Sequence, residues 1–249
     1  MKVSPLVVVC FVLLVLAVAS AVALALVLAS RREGDSMPRV VGRAVAAVAA
    51  IGGWLATTDA VASSGVLLDF SGVPPRFSRF VAITSLVTVL FAFSRTGERL
   101  ARAVPLAALV GFQGFRLPVE LLLAELHREG AIPVQMTFEG WNFDVLTGVS
   151  AIGVALGIHR GKLGLRALLG WNAAGLALLF TIVTVANLST PAFHVFAEGP
   201  GAALLATRPF FWLPTVLVQA ALLGHVLTFR RLALAARGLR TAHEKPAGA

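Results

Sequence analysis

Gln113, Arg116, Glu120 and His127 follow one another at offsets of three, four and seven residues, a spacing that stacks them on one face of a helix. Arg116 and Glu120 have the i,i+4 spacing of an intrahelical ion pair. They lie within an apolar run from Pro105 to Leu126, which places Arg116 about 17 Å beyond Pro105 at 1.5 Å per residue. A charge at that depth in a bilayer costs roughly 2.5–3.5 kcal/mol on insertion scales, and a partner lowers the cost. Pro118, between the two charges, has no N–H to give the Gly114 carbonyl, which leaves a free acceptor beside them. Such a wall can recognise a small polar or anionic group through Arg116, with Glu120 as counter-ion or proton carrier. The other reading is that the pair only locks helices together.

A second polar set follows in Pro133–Asp144, PVQMTFEGWNFD, with Gln135, Thr137, Glu139, Asn142 and Asp144. Asp59, beside Thr57 and Thr58, arrives at the same level from an earlier span. The candidate binding residues are therefore Arg116, Glu120, Gln113, Glu139, Asn142, Asp144 and Asp59. Glu139, Asn142 and Asp144 also suit a plainer role as cap and first-turn acids of the next helix, and Asp59 suits solvent at a helix end. His225 could ligate a metal, although a lone histidine in a span is more often hydrogen-bonded. Asn172, Asn187 and Gln219 read as interhelical hydrogen-bond partners. Gly153 and Gly157 read as packing glycines, and Trp141, Phe210, Phe211 and Trp212 as interface anchors. No catalytic, metal-ligating or cofactor-binding set is identified: there is no Walker loop, HExxH or GxSxG, and no lysine in the last span for a retinal Schiff base.

The elements that must position these groups are membrane spans. Of 249 residues, 58% are hydrophobic and 13% charged, about half the charge of a soluble domain, and the mean hydropathy is +0.88. Apolar runs cover about 5–30, 40–67, 75–94, 105–126, 141–158, 165–188 and 209–229. Lipid requires every backbone group in them to be bonded internally, and nothing alternates with the period of a barrel strand. The expectation is an all-α polytopic bundle of about seven spans over residues 1–231, followed by a short basic tail, 232–249.

Loop charges orient the bundle. With the N-terminus outside, cytoplasmic segments hold fifteen Lys and Arg and outer segments five, which satisfies the positive-inside rule. The C-terminus is then cytoplasmic, and the polar groups gather in the outer half. Cleavage of the first run as a signal peptide would leave Arg31, Arg32, Arg39 and Arg43 outside, against that rule. The net charge of +9 is dispersed among short loop clusters, so nucleic acid is not an expected partner. The bilayer is. Cys10 alone allows no disulfide within the chain, and the Arg, Ala and Leu bias suggests a bacterial cytoplasmic membrane.

The stretches FRLPVE and GAIPVQMTFEGWNFD, from Phe115 to Asp144, resemble a group of uncharacterised bacterial multi-pass membrane proteins. Trp171-Asn172, Ser189-Thr190-Pro191 and PFFWLP, up to His225, are similar to the same group. The resemblance implies membership of a family marked by a QMTFEGxNFD motif and transfers no activity. From the residues themselves, the leading expectation is binding or transport of a small molecule. An intramembrane enzyme using Glu139 or Asp144 on a lipid-linked substrate, and a structural or accessory subunit, are the alternatives. The oligomeric state is not read from the sequence.

Overall fold

Ser4 opens the first helix, α1 (Pro5–Arg32), by accepting from the Val7 amide, and Arg31 and Arg32 end it where the helix dipole favours cations. In this computed structural model, which describes residues 3–193, 195–196 and 201–243 and side chains as far as 236, helices follow one another to the end. They are α2 (Met37–Ser63), α3 (Arg76–Phe93), α4 (Arg95–Ala103), α5 (Leu106–Phe112), α6 (Arg116–Arg128), α7 (Asp144–His159), α8 (Leu165–Leu188) and α9 (Val218–His243). A 3-10 turn, Gln113–Phe115, joins α5 to α6, and a π turn, Leu213–Leu217, leads into α9. Among the described residues there is no strand.

Six of these stretches are long and apolar enough to cross a membrane: Pro5–Arg32, Met37–Ser63, Arg76–Phe93, Leu106–Arg128, Leu165–Leu188 and Leu213–Ala236. The all-helical expectation is met, whereas the fifth expected span is a helix of only 16 residues, α7. Residues 244–249 of the expected tail, Lys2, and residues 194 and 197–200 of the loop before α9 lie outside the described residues.

The outer surface is what lipid asks for. Large apolar side chains such as Leu13, Ile83, Leu90, Ile152 and Phe180 are exposed in numbers far beyond the scattered few of a soluble monomer. The interior gathers on an aromatic row. Phe11 of α1 packs on Phe210 with centroids 5.1 Å apart, and Phe77 and Phe80 of α3 pack on Phe211 at 6.1 and 5.3 Å. Phe210 and Phe211 are therefore core residues and not interface anchors, because the loop before the π turn folds inward over α1 and α3. Trp212 is half-buried and donates to the Thr58 hydroxyl at 3.1 Å, tying α2 to the start of α9.

At the end of the bundle where α1 finishes, charges bridge the elements. Asp35 accepts from Ser30 and pairs with Arg43, while Glu33 reaches Arg43 and Arg99 at 3.8 and 3.4 Å. Glu98 of α4 holds Arg102 at 2.7 Å and Arg230 of α9 at 3.4 Å. The Ser30 hydroxyl and then Arg43 keep the Asp35 carboxyl below its ordinary value, as Arg102 does for Glu98. The short helix α4, which lies between two of the expected apolar runs, thus belts α1 to α9.

Candidate functional site

Arg116 lies ten residues from Leu106 and twelve from Arg128, at the middle of that membrane-length rod. Its partner is not Glu120. The guanidinium grips both oxygens of Asp144 of α7 with one edge, Nε donating to Oδ2 at 2.6 Å and Nη2 to Oδ1. This is the two-pronged geometry for which arginine is suited and lysine is not. The expected intrahelical pair gives way because α6 and α7 touch closely. A Cβ placed on Gly148, one turn after Asp144, would lie 2.7 Å from the Leu117 amide nitrogen. That contact brings the first turn of α7 level with Arg116.

The remaining Arg116 nitrogen, Nη1, donates to the Gly175 carbonyl of α8 at 3.3 Å and meets His225 Nε2 of α9 at 2.9 Å. A guanidinium cannot accept, so Nε2 must offer its lone pair and the ring proton sits on Nδ1. From there it is donated to Asn172 Oδ1 at 2.9 Å, and the Asn172 amide returns a bond to the His225 carbonyl at 3.0 Å. Every member has a defined donor or acceptor role. The imidazole is neutral and is used up as a hydrogen-bond partner. Gly175 is required here, since a Cβ on it would stand 2.7 Å from His225 Cε1.

Glu120 is 2% exposed and faces the same centre, yet its only hydrogen-bond partner among the described residues is the Asn142 amide, at 2.6 Å. Asn142 is held by the loop before α7. Thr137 caps a tight turn whose carbonyl accepts from the Gly140 and Asn142 amides, and Asn142 Nδ2 also donates to the Met136 carbonyl. Asn142 Oδ1 accepts from the Asp144 amide at 3.1 Å, so one side chain touches both acids. The first-turn role foreseen for Asp144 is present as well, since it is the first residue of α7.

Arg116, Glu120 and Asp144 line one side of a cavity of about 40 Å3, walled otherwise by apolar residues including Phe115, Leu179, Leu213 and Val218. That volume admits water and little else. Gln113 is buried one turn before Arg116 and donates to the Ala221 carbonyl at 3.0 Å, while its Oε1 has no hydrogen-bond partner among the described residues. Glu139 is exposed on the loop and stays out of the cluster. Asp59 pairs with Arg208 at 2.7 Å and is likewise not bonded to it. His127 leaves the helical stack to meet the Ile132 carbonyl.

A family model described as a domain of unknown function (DUF8737) matches residues 73–233. The chain belongs to that family. No curated protein and no solved structure matches it. The DUF8737 segment contains Arg116, Glu120, Asn142, Asp144, Asn172, Gly175 and His225, the complete cluster. Asp59 and helices α1 and α2 precede it.

Within the DUF8737 segment, Arg116, Glu120, Asn142 and Asp144 are brought together as one group. The union of His225 and Asn172 with Arg116 was not foreseen. Its signal was the rarity of polar residues in the last two spans, which names candidates without naming partners. The close helix contact is at Gly148 and not at the expected packing glycine Gly153, which has nothing within 4 Å of its Cβ position. Among the described residues no group of three His, Cys, Asp or Glu side chains is placed to hold a metal.

Proposed function

We propose that this is a multi-pass protein of a bacterial cytoplasmic membrane that carries a small polar or anionic solute, with Glu120 as its proton-binding group. Seven crossings, with α7 as the short one, put the termini on opposite faces, and the loop charges favour the N-terminus outside. With Cys10 replaced by serine, Lys162→Cys in the exposed loop after α7 should then react with an impermeant maleimide only after the cytoplasmic face is opened. Labelling of intact cells would reverse the orientation.

One observation carries the functional reading. Glu120 shares a cavity with Arg116 but has no cation of its own among the described residues, because Arg116 is committed to Asp144. Intramembrane acids of this kind mark proton and solute paths. Asp144 is a poorer choice of acid or base, since both its oxygens are held by Arg116.

Glu120→Gln keeps an oxygen for the Asn142 amide and tests the assignment. In purified protein, infrared titration should show a carboxyl C=O band that responds to pH and is missing from the variant, with little change in thermal midpoint. If the band persists in the variant, or if the variant unfolds as readily as one lacking Asp144, Glu120 is a structural residue and the proton role is lost.

A further inference from the structure

A second cavity, of about 330 Å3, lies between α1, the α4–α5 corner and α9, away from the Glu120 cluster. Its walls are Ala25, Leu28, Leu109, Phe112 and Leu227 among others, and one charged side chain, Arg32, stands in the lining. Arg32 donates from Nη1 to the Ala103 carbonyl at 2.6 Å, and Arg231 donates from Nη1 to the neighbouring Arg102 carbonyl at 2.8 Å. Two guanidiniums are thereby fastened to consecutive carbonyls where the cavity meets the surface. Among the described residues neither has an acidic partner; Arg31, Arg39 and Arg95 at the same end also have none, but only Arg32 stands in the lining of the cavity, whereas Arg43, Arg99, Arg102 and Arg230 are paired. Leu24, Leu28 and Ala108 in the lining are exposed, so the cavity opens sideways between helices.

We infer that this cavity is a binding site for an anionic phospholipid. One acyl chain fills the apolar space, the second stays in the bilayer, and the phosphate rests on Arg32 and Arg231. Uncompensated arginines at a membrane surface favour anionic lipid, and the guanidinium fork fits phosphate oxygens. Another apolar cavity, about 360 Å3 between α1, α2, α3 and α9, has no charged residue in its lining and serves as the internal control.

The test is the thermal midpoint of the full chain in neutral detergent, titrated with dioleoylphosphatidylglycerol, dioleoylphosphatidylcholine or inorganic phosphate. Phosphatidylglycerol should raise the midpoint, and the other two should not. Arg32→Gln combined with Arg231→Gln should weaken the apparent affinity by about fivefold for each cation removed. Ala25→Leu, which fills the cavity, should abolish the shift, and Ala50→Leu, in the control cavity, should keep it. Equal shifts with the two lipids would overturn the site using the unaltered chain alone. An unchanged phosphatidylglycerol curve in the double arginine variant would overturn the headgroup assignment. An unchanged curve in Ala25→Leu would overturn insertion of the chain.

Discussion

Asp144→Leu should destabilise the protein by about 3–5 kcal/mol, the usual effect of stranding one member of a buried ion pair. Arg116 would keep the Gly175 carbonyl and His225 but lose both charge-assisted bonds. Replacing both residues, Arg116→Leu with Asp144→Leu, should recover most of that loss. Recovery should stop short of the starting stability, because His225 Nε2 would then be buried without a donor at a cost of about 1–3 kcal/mol. Unfolding in detergent by heat or denaturant gives all the values, and the cycle isolates the coupling. Additive losses would mean that the two side chains do not act as a pair.

Gly148→Val should also destabilise the protein, by less and for a different reason. The added Cβ alone would meet Leu117 N at 2.7 Å, Leu117 Cα at 3.2 Å and the Arg116 carbonyl carbon at 3.3 Å. All three are backbone, which cannot rotate aside as a side chain can. The helices α6 and α7 must separate, at a cost of about 1–3 kcal/mol for overpacking, and Asp144 moves with α7. Gly153→Ala, on the same helix with open space beside it, should be neutral or gain up to about 1 kcal/mol. Thermal midpoints of the two variants side by side decide the matter. Equal effects would show that the contact at Gly148 does not set the distance between α6 and α7.

Helix positions were legible because lipid leaves few options. α8 spans Leu165–Leu188 as the apolar run does, and α1 stops at Arg31 and Arg32, where charge first returns. The belt helix α4 was not, since nine residues with three arginines do not read as a span; Ser94, which caps it by accepting from the Gly97 amide, was its local mark. In the site, residue types were readable and partnerships were not. The i,i+4 rule relates neighbours on one helix, whereas Asp144 reaches Arg116 from 28 residues away through a folded loop. The fate of Glu139 was hidden for the same reason. Its direction depends on the turn from Thr137 to Asn142, which sends Asn142 inward and Glu139 out.

The shortness of α7 has a consequence for the surrounding bilayer. Sixteen residues span about 24 Å, against about 30 Å of hydrocarbon in an average membrane. Leu146, Val149, Ile152 and Leu156 form an exposed stripe on the face turned away from α5, α6 and α8, which leaves that face to lipid tails in the proposed topology. In the proposed topology the mismatch falls on the lipid beside this one helix. There the bilayer thins or the residues flanking the helix reach out to its surface, at a fraction of a kcal/mol per Å. In that topology any thinning lies against the helix that carries Asp144, so membrane thickness would bear on the grip between Asp144 and Arg116.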